Sequence, residues 1–204
     1  MAFLMREVQN QNTLSSRLTK LGGLPITNSG TEWKRCSSCN NWMHFIGQID
    51  LEETKIPVVE ERHQILLFFI CTNYPLYAGS CNEWDPDFGG NAAILVPKTN
   101  LLELNAPCND EEFLLDETSV LLEGCDDSSE YYCNAYNKSD DLCGKIGGEP
   151  CWIQYDTTPV CSCGARMTFI AQIEHTGDFE FYECGYVFVC PVCQDQAKFL
   201  YQTD

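Results

Sequence analysis

The chain has 204 residues, 44% hydrophobic and 12% aromatic, enough apolar material for a packed core, which excludes a disordered polar chain. Against 12 basic residues stand 30 acidic ones, a formal net charge of −18; such a surface repels nucleic acid and anionic membranes and draws basic proteins or cations. Solubility alone would also account for the acidity, because net charge bears on association and not on fold.

Residues 1–19 are polar, with Phe3, Leu4, Val8, Leu14 and Leu18 at roughly helical intervals, and are expected to form an N-terminal arm or a short helix. They show no basic stretch followed by an apolar one, so no signal peptide is read, and no apolar run nears the ~18 residues that span a bilayer. A cytoplasmic protein without membrane contact is expected. Gly22-Gly23 and Pro25 then break any regular element. From Trp42 to Leu51 the alternation predicts a strand, with Phe45, Gly47 and Ile49 on one face and His44, Ile46, Gln48 and Asp50 on the other. Ile65 to Cys71 reads as a buried strand and Ala92 to Val96 as another.

Residues 101–143 carry the composition shift. Between Glu103 and Asp141 lie twelve acids and one base, Lys138, which is more than half of the net charge. Apolar groups such as Phe113-Leu114-Leu115 and Val120-Leu121-Leu122 interrupt them, so short strands or turns with carboxylates facing out are expected, not a solvated tail. Strands follow at Met167 to Ile173, Phe179 to Cys184, Tyr186 to Cys190 and Ala197 to Tyr201, rich in aromatic and β-branched residues.

Laid side by side, two stretches repeat. Lys20-Leu-Gly-Gly-Leu-Pro25, Cys36-Ser-Ser-Cys39, Met43-His-Phe-Ile-Gly-Gln-Ile-Asp50, Cys71 and Cys81 recur in order as Lys145-Ile-Gly-Gly-Glu-Pro150, Cys161-Ser-Cys163, Met167-Thr-Phe-Ile-Ala-Gln-Ile-Glu174, Cys190 and Cys193, offset by 124 or 125 positions as far as Glu174. Such an ordered match reads as an internal duplication. The expected fold class is β-rich α+β in two tandem halves, residues 20–100 and 144–204, joined by the acidic segment 101–143.

Fourteen cysteines without a secretory signal favour metal over disulfides. Structural zinc takes four ligands in a tetrahedron, commonly two short cysteine pairs separated by chain. The repeats supply Cys36, Cys39, Cys71 and Cys81 for one Zn²⁺ and Cys161, Cys163, Cys190 and Cys193 for a second. The competing reading is that these are small buried hydrophobes, but Cys36, Cys39, Cys161 and Cys163 sit among turn-forming residues. Cys108, Cys125, Cys133, Cys143, Cys151 and Cys184 have no counterpart and are read as structural, with Cys151 and Cys184 as reserve ligands. Four thiolates around Zn²⁺ carry a formal −2, so two filled sites would take the chain from −18 to about −22.

Catalytic patterns are lacking. The three histidines, His44, His63 and His175, stand in no metalloprotease pattern, and no phosphate loop or nucleophile elbow is present. All-cysteine zinc sites are normally closed to substrate. His44 is read as a surface or satisfied histidine, and Gln48 and Gln172 as buried amides bonded to backbone of an adjacent loop.

The two Gly-Gly-x-Pro stretches, with Met43 to Asp50 and Met167 to Glu174, resemble the bacterial YwqG-like family of unknown function. With the cysteine pairs and Leu66 to Cys71 added, the chain is also similar to the programmed cell death protein 2 family. The resemblance spans roughly residues 20–82 and 144–194 and implies a duplicated β-rich domain. In the second family it implies a dedicated chaperone of a ribosomal protein, and in the first an immunity protein of a bacterial toxin system. Together with the charge, the expected function is a non-enzymatic, zinc-stabilised acidic binding protein. Its expected partner is a cationic toxin such as a nuclease, neutralised at its nucleic-acid-binding surface, with no direct nucleic-acid binding by this chain. The alternatives are a chaperone of a basic RNA-binding protein and a zinc or thiol enzyme. The candidate partner-binding residues are Glu83, Trp84, Asp85, Asp87, Asp110, Glu111, Glu112, Asp116, Glu117, Asp126 and Asp127, with aromatic anchors such as Trp84 and Phe88.

Overall fold

The computed structural model describes residues 1–8, 18–57, 59, 62–74, 81, 82, 84–126, 128, 132, 139–176 and 179–202, with backbone alone at 175, 176 and 179–183. Twelve strands are present among them: β1 (Ala2–Glu7), β2 (Lys20–Leu21), β3 (Ile26–Asn28), β4 (His44–Asp50), β5 (Gln64–Ile70), β6 (Asn91–Pro97), β7 (Leu101–Glu103), β8 (Thr118–Cys125), β9 (Leu142–Gly147), β10 (Thr168–Thr176), β11 (Phe179–Val189) and β12 (Ala197–Gln202). Ten form one antiparallel sheet in the order β12-β11-β10-β9-β1-β8-β2-β4-β5-β6, and β3 pairs with β7 beside it. β12 comes round to lie against β6 and β5, so the sheet is nearly closed and barrel-like.

The α+β expectation is corrected. Regular helix is almost absent from the described residues, the one complete helical element among them being a 3₁₀ turn at Glu111–Phe113. Of the expected N-terminal arm or short helix over residues 1–19, Ala2–Glu7 form strand β1, inserted between β8 and β9, while residues 9–17 lie outside the described residues. Its helical spacing was a weak signal, and pairing on both edges overrides it. β8 and β9, within and just after the acidic stretch, also belong to the sheet. The two strands expected at 179–184 and 186–190 are one, β11.

The barrel interior draws residues from nearly every strand, among them Met5, Leu21, Ile46, Ile49, Phe68, Val120, Ile146, Ile170, Ile173, Val187 and Phe199. On β5, Leu66, Phe68 and Ile70 face this core, while Ile65, Leu67 and Phe69 join a second cluster on the outer face that continues into Cys71. β11 does the same, with Val187 and Val189 inside, and Tyr186 and Phe188 outside leading to Cys190. The two-residue period of the strand thus carries one cysteine of each group onto an outer apolar layer.

A β-bulge corrects the face assignment in β4. Phe45 pairs with Phe69 and Gly47 with Phe68, leaving Ile46 as the extra residue, which turns inward with Ile49. β10 has the same irregularity between Phe169 and Ala171, and Ile170 likewise points inward. The pairing of neighbouring strands also matches. Lys20 lies opposite Gln48 and Leu21 opposite Gly47, as Lys145 lies opposite Gln172 and Ile146 opposite Ala171.

The glycine pairs after β2 and at the end of β9 explain their own presence. Gly22 and Gly23 have φ of 62° and 68°, and Gly147 and Gly148 have 72° and 69°, a region L side chains rarely occupy. A Cβ on Gly22 would meet the carbonyl oxygen of Asp116 at 2.0 Å, and one on Gly147 the carbonyl of Met1 at 2.6 Å. The turn that follows is held by the predicted glutamines. The Gln48 side chain accepts from the Ile26 N–H (2.8 Å) and donates to the Leu18 carbonyl (2.6 Å). Gln172 accepts from the Cys151 N–H (2.8 Å) and donates to the Cys151 carbonyl (3.3 Å) and to Glu174 (2.8 Å).

Candidate metal centres

Each cysteine group begins in a tight turn between short antiparallel bridges. In the first, Arg35 bridges Trp42, the Asn40 N–H donates to the Cys36 carbonyl (2.9 Å), and Asn40 closes the turn at φ 61°. In the second, Val160 bridges Arg166, the Gly164 N–H donates to the Cys161 carbonyl (2.8 Å), and Gly164 closes it at φ 86°. Asparagine and glycine are the residues that tolerate this left-handed region, so the sequence forms both turns locally. Cys71 and Cys190 directly follow β5 and β11, Cys193 lies in the turn beyond β11, and Cys81 precedes β6 in the chain.

The result is two groups, Cys36/Cys39/Cys71/Cys81 and Cys161/Cys163/Cys190/Cys193, in each of which all four sulfurs lie within 4.8 Å of one another. Individual separations are 3.5 Å for Cys39–Cys71, 3.6 Å for Cys163–Cys190 and 3.8 Å for Cys161–Cys193. A tetrahedron with metal–sulfur bonds of about 2.3 Å has edges of about 3.8 Å, whereas a disulfide needs about 2.05 Å. All eight are free thiols. The spacing fits a shared cation and not pairwise oxidation.

Electrostatics point the same way. Burial pushes Cys71 up, and burial with hydrogen bonds to the neighbouring thiols pushes Cys81 up to about 11. Burial also opposes ionisation of Cys36, but hydrogen bonds from the Cys39 and Ser38 backbone outweigh it and hold this thiol below the ordinary cysteine value. In the second group the Cys163 backbone lowers Cys161 to about 6, while hydrogen bonding to Cys163 and Cys161 raises Cys193 to about 12. Once one sulfur ionises, its neighbours resist a second negative charge. A divalent cation removes that resistance.

The surroundings are specific. N–H groups of Val192 and Cys193 donate to the Cys190 sulfur (3.4 and 3.2 Å), and that of Asn73 to the Cys71 sulfur (3.3 Å). Trp33 packs edge-on against Phe69 under the first group and donates to the Met43 carbonyl at 2.7 Å; Trp152 stacks on Phe188 under the second. Arg62 was not anticipated. Its guanidinium donates to the carbonyls of Cys190 (2.6 Å) and Cys193 (3.1 Å), tying the approach to β5 to the second group; nothing in the connection around it suggested this in advance.

Of the reserve ligands, Cys184 is fully buried beneath Tyr186 and Cys151 contributes its backbone to Gln172; neither joins a four-sulfur group. His44 is buried, with its ring 4.8 Å from Phe113 and 5.5 Å from Tyr74, so the surface alternative is excluded. His63 pairs with Glu52, and the side chain of His175 lies outside the described residues.

The expected partner-binding residues divide. Glu83 and Asp127 lie outside the described residues. Glu111, Glu112, Asp116 and Asp126 are exposed, whereas Asp110 caps the 3₁₀ turn and accepts from Tyr74, and Glu117 pairs with the nearly buried Lys20. Trp84, Asp85 and Asp87 belong to a separate turn, anchored where the Ser37 hydroxyl donates to the Phe88 carbonyl (3.1 Å) and Lys198 pairs with Asp87 (2.7 Å). No helix among the described residues is long and apolar enough to cross a membrane. No protein-family model matches the chain, and no curated protein matches it.

Proposed function

We propose that this chain is a non-enzymatic binding protein, built by duplication of one strand-turn-hairpin unit and held together by two structural zinc ions, that recognises a cationic protein. The observation that carries it is the pair of four-sulfur groups at corresponding places. Soft thiolates in a tetrahedral set favour zinc among the abundant divalent ions, and four protein ligands leave no open position for substrate. Each ion would be held by the four cysteines of its group and would supply cross-linking of the turn to the hairpin, not chemistry. The eight cysteines of the two groups are free thiols, whereas Cys151 is disulfide-bonded.

Duplication is supported by the shared register of Lys20–Gln48 and Lys145–Gln172, the two glycine turns and the two bulges. The binding role is supported by the formal charge of −18 and by exposed carboxylates such as Asp87, Asp156 and Asp195. A toxin-neutralising role takes this charge as a cover for a nucleic-acid-binding surface. The resemblance to the programmed cell death protein 2 family favours a second reading, a chaperone of a basic ribosomal protein, which uses the same complementarity.

Metal analysis of the purified chain tests the first half: two zinc ions per chain are expected, and a folded, metal-free protein with all eight thiols titratable overturns it. Affinity capture from the native host followed by mass spectrometry tests the second half. A basic toxin supports immunity and a ribosomal protein supports the chaperone. A partner of neutral or acidic charge, held equally at low and high salt, overturns both.

A further inference from the structure

Large apolar side chains more than half exposed gather on one region of the surface. Trp84 and Tyr155 line a cleft of about 250 Å³, floored by Tyr201 and Gln202. Trp84 and Phe88 belong to the same turn, and both are more than half exposed, as are Tyr155, Val160 and Val192. Lys198 joins these pieces, pairing with Asp87 beside Phe88 while donating to the carbonyl of Val160 (3.0 Å). Val160 directly precedes Cys161, whose sulfur is 3.8 Å from that of Cys193, and Val192 is the residue before Cys193. Five of the eight large hydrophobic residues exposed among those described are thus linked around the second metal centre. Exposed apolar groups concentrated in this way mark an interaction surface more often than chance scatter.

Charge selects the occupant. Asp85 and Asp87 belong to the turn of Trp84 and Phe88, Asp156 follows Tyr155 and Asp195 belongs to the turn of Val192, and a filled four-thiolate site would add a formal −2. The basic residues there are already engaged: Lys198 with Asp87, Arg166 with Asp156, and Arg62 with the carbonyls of Cys190 and Cys193. The region stays negative. Open tryptophan and tyrosine faces beside carboxylates suit a guanidinium or ammonium group, which gains from the ring faces and the anions together. We infer that Trp84, Phe88, Tyr155, Val160 and Val192, with these aspartates, form the docking surface for a basic protein segment that presents arginine or lysine among apolar residues. The inference rests on the proposed recognition of a cationic protein and names where that contact is made.

The test is calorimetric titration of the full zinc-loaded chain with a short peptide alternating arginine and leucine, and with its glutamate counterpart. The variants are Trp84→Ser, Phe88→Ser, Tyr155→Ser and the triple Asp110→Lys/Glu111→Lys/Glu112→Lys. Metal content, measured on each variant, shows which remain folded; all these positions are at the surface, and Tyr155→Ser stands in if the turn bearing Trp84 rearranges. Expected is salt-sensitive binding of the arginine peptide, weakened about tenfold or more by the serine variants and about twofold or less by the triple variant. If the triple variant abolishes binding and the serine variants do not, the docking surface is overturned while recognition of a cationic partner stands. If the glutamate peptide binds as well, the cationic occupant is overturned. If neither peptide binds, the surface and the broader reading fall together.

Discussion

Replacing Gln48 with leucine tests the physical core of the repeated unit. Gln48 is fully buried; its amide satisfies the N–H of Ile26 at 2.8 Å and the carbonyl of Leu18 at 2.6 Å, on either side of the glycine turn. Leucine keeps similar volume but leaves both backbone groups without that partner. Each buried polar group so abandoned costs about 1–3 kcal/mol, partly offset by added apolar burial, so a net loss of about 2–4 kcal/mol is expected. Gln172→Leu abandons the backbone of Cys151 and one bond to Glu174, and a loss of the same size is expected there. Equilibrium urea unfolding of the zinc-loaded protein, followed by tryptophan fluorescence, gives both values. Losses below about 0.5 kcal/mol in both variants, in the range of ordinary surface substitutions, would refute the assignment of these amides as backbone clamps.

Three further outcomes follow from individual side chains. Burial holds the His44 imidazole at about 4, against about 6.5 in an unfolded chain. The unfolded state therefore binds the extra proton between those values, so stability falls as pH drops from 6.5 to 4. About 3 kcal/mol is lost across that window, and a His44→Gln variant should show a shallower pH dependence there by denaturant titration. Gly22→Ala puts a Cβ 2.0 Å from the Asp116 carbonyl at φ 62°, whereas Gly30→Ala at φ 100° meets nothing within 4 Å. Both incur the left-handed penalty of about 1–2 kcal/mol, and Gly22→Ala should cost clearly more in the same assay. Cys163 is exposed and Cys193 half-buried, whereas Cys36, Cys71 and Cys81 are buried. Chelator challenge with a colorimetric zinc indicator should therefore release metal in two phases, with the fast phase missing in Cys163→Ser; a single phase would contradict the difference in access.

Much of the site was legible because it is local. The turns at Cys36–Cys39 and Cys161–Cys163 are written in residues that accept positive φ, and the approach of Cys71 and Cys190 follows from strand alternation along β5 and β11. The glutamine clamps were legible for the same reason. What escaped was set by distant partners. Strand β1 looks helical in isolation and becomes a strand because β8 and β9 offer it two edges. The bulges at Ile46 and Ile170 invert the face of every following residue, and no hydrophobic count foresees a one-residue insertion in a ladder. Arg62 lies 128 positions from Cys190, and a single charged side chain in a connection carries no sign of where it will reach.

At the seam between β12 and β6, sheet closure meets the second cysteine group. These are the end strands of the ten-stranded order, so each has an edge that no neighbouring strand in the sheet pairs. Open edges invite pairing with other chains. Here the gap is spanned by side chains and turns: Phe68 meets Phe199 at 5.6 Å, Lys198 reaches Asp87, Gln64 donates to the Gln194 carbonyl (3.2 Å), and Arg62 holds the carbonyls of Cys190 and Cys193. Arg62 and Gln64 thus end on the turn that carries the second metal centre or on the residue just after it, and Lys198 also grips the residue before Cys161. A turn that presents backbone carbonyls as acceptors must itself be rigid, and four sulfurs fixed to one ion, as proposed, would provide that rigidity. An ion bound at the second group, as proposed, would therefore act at a distance from its own ligands: by fixing the Cys190–Cys193 turn it would fix the acceptors that close the barrel.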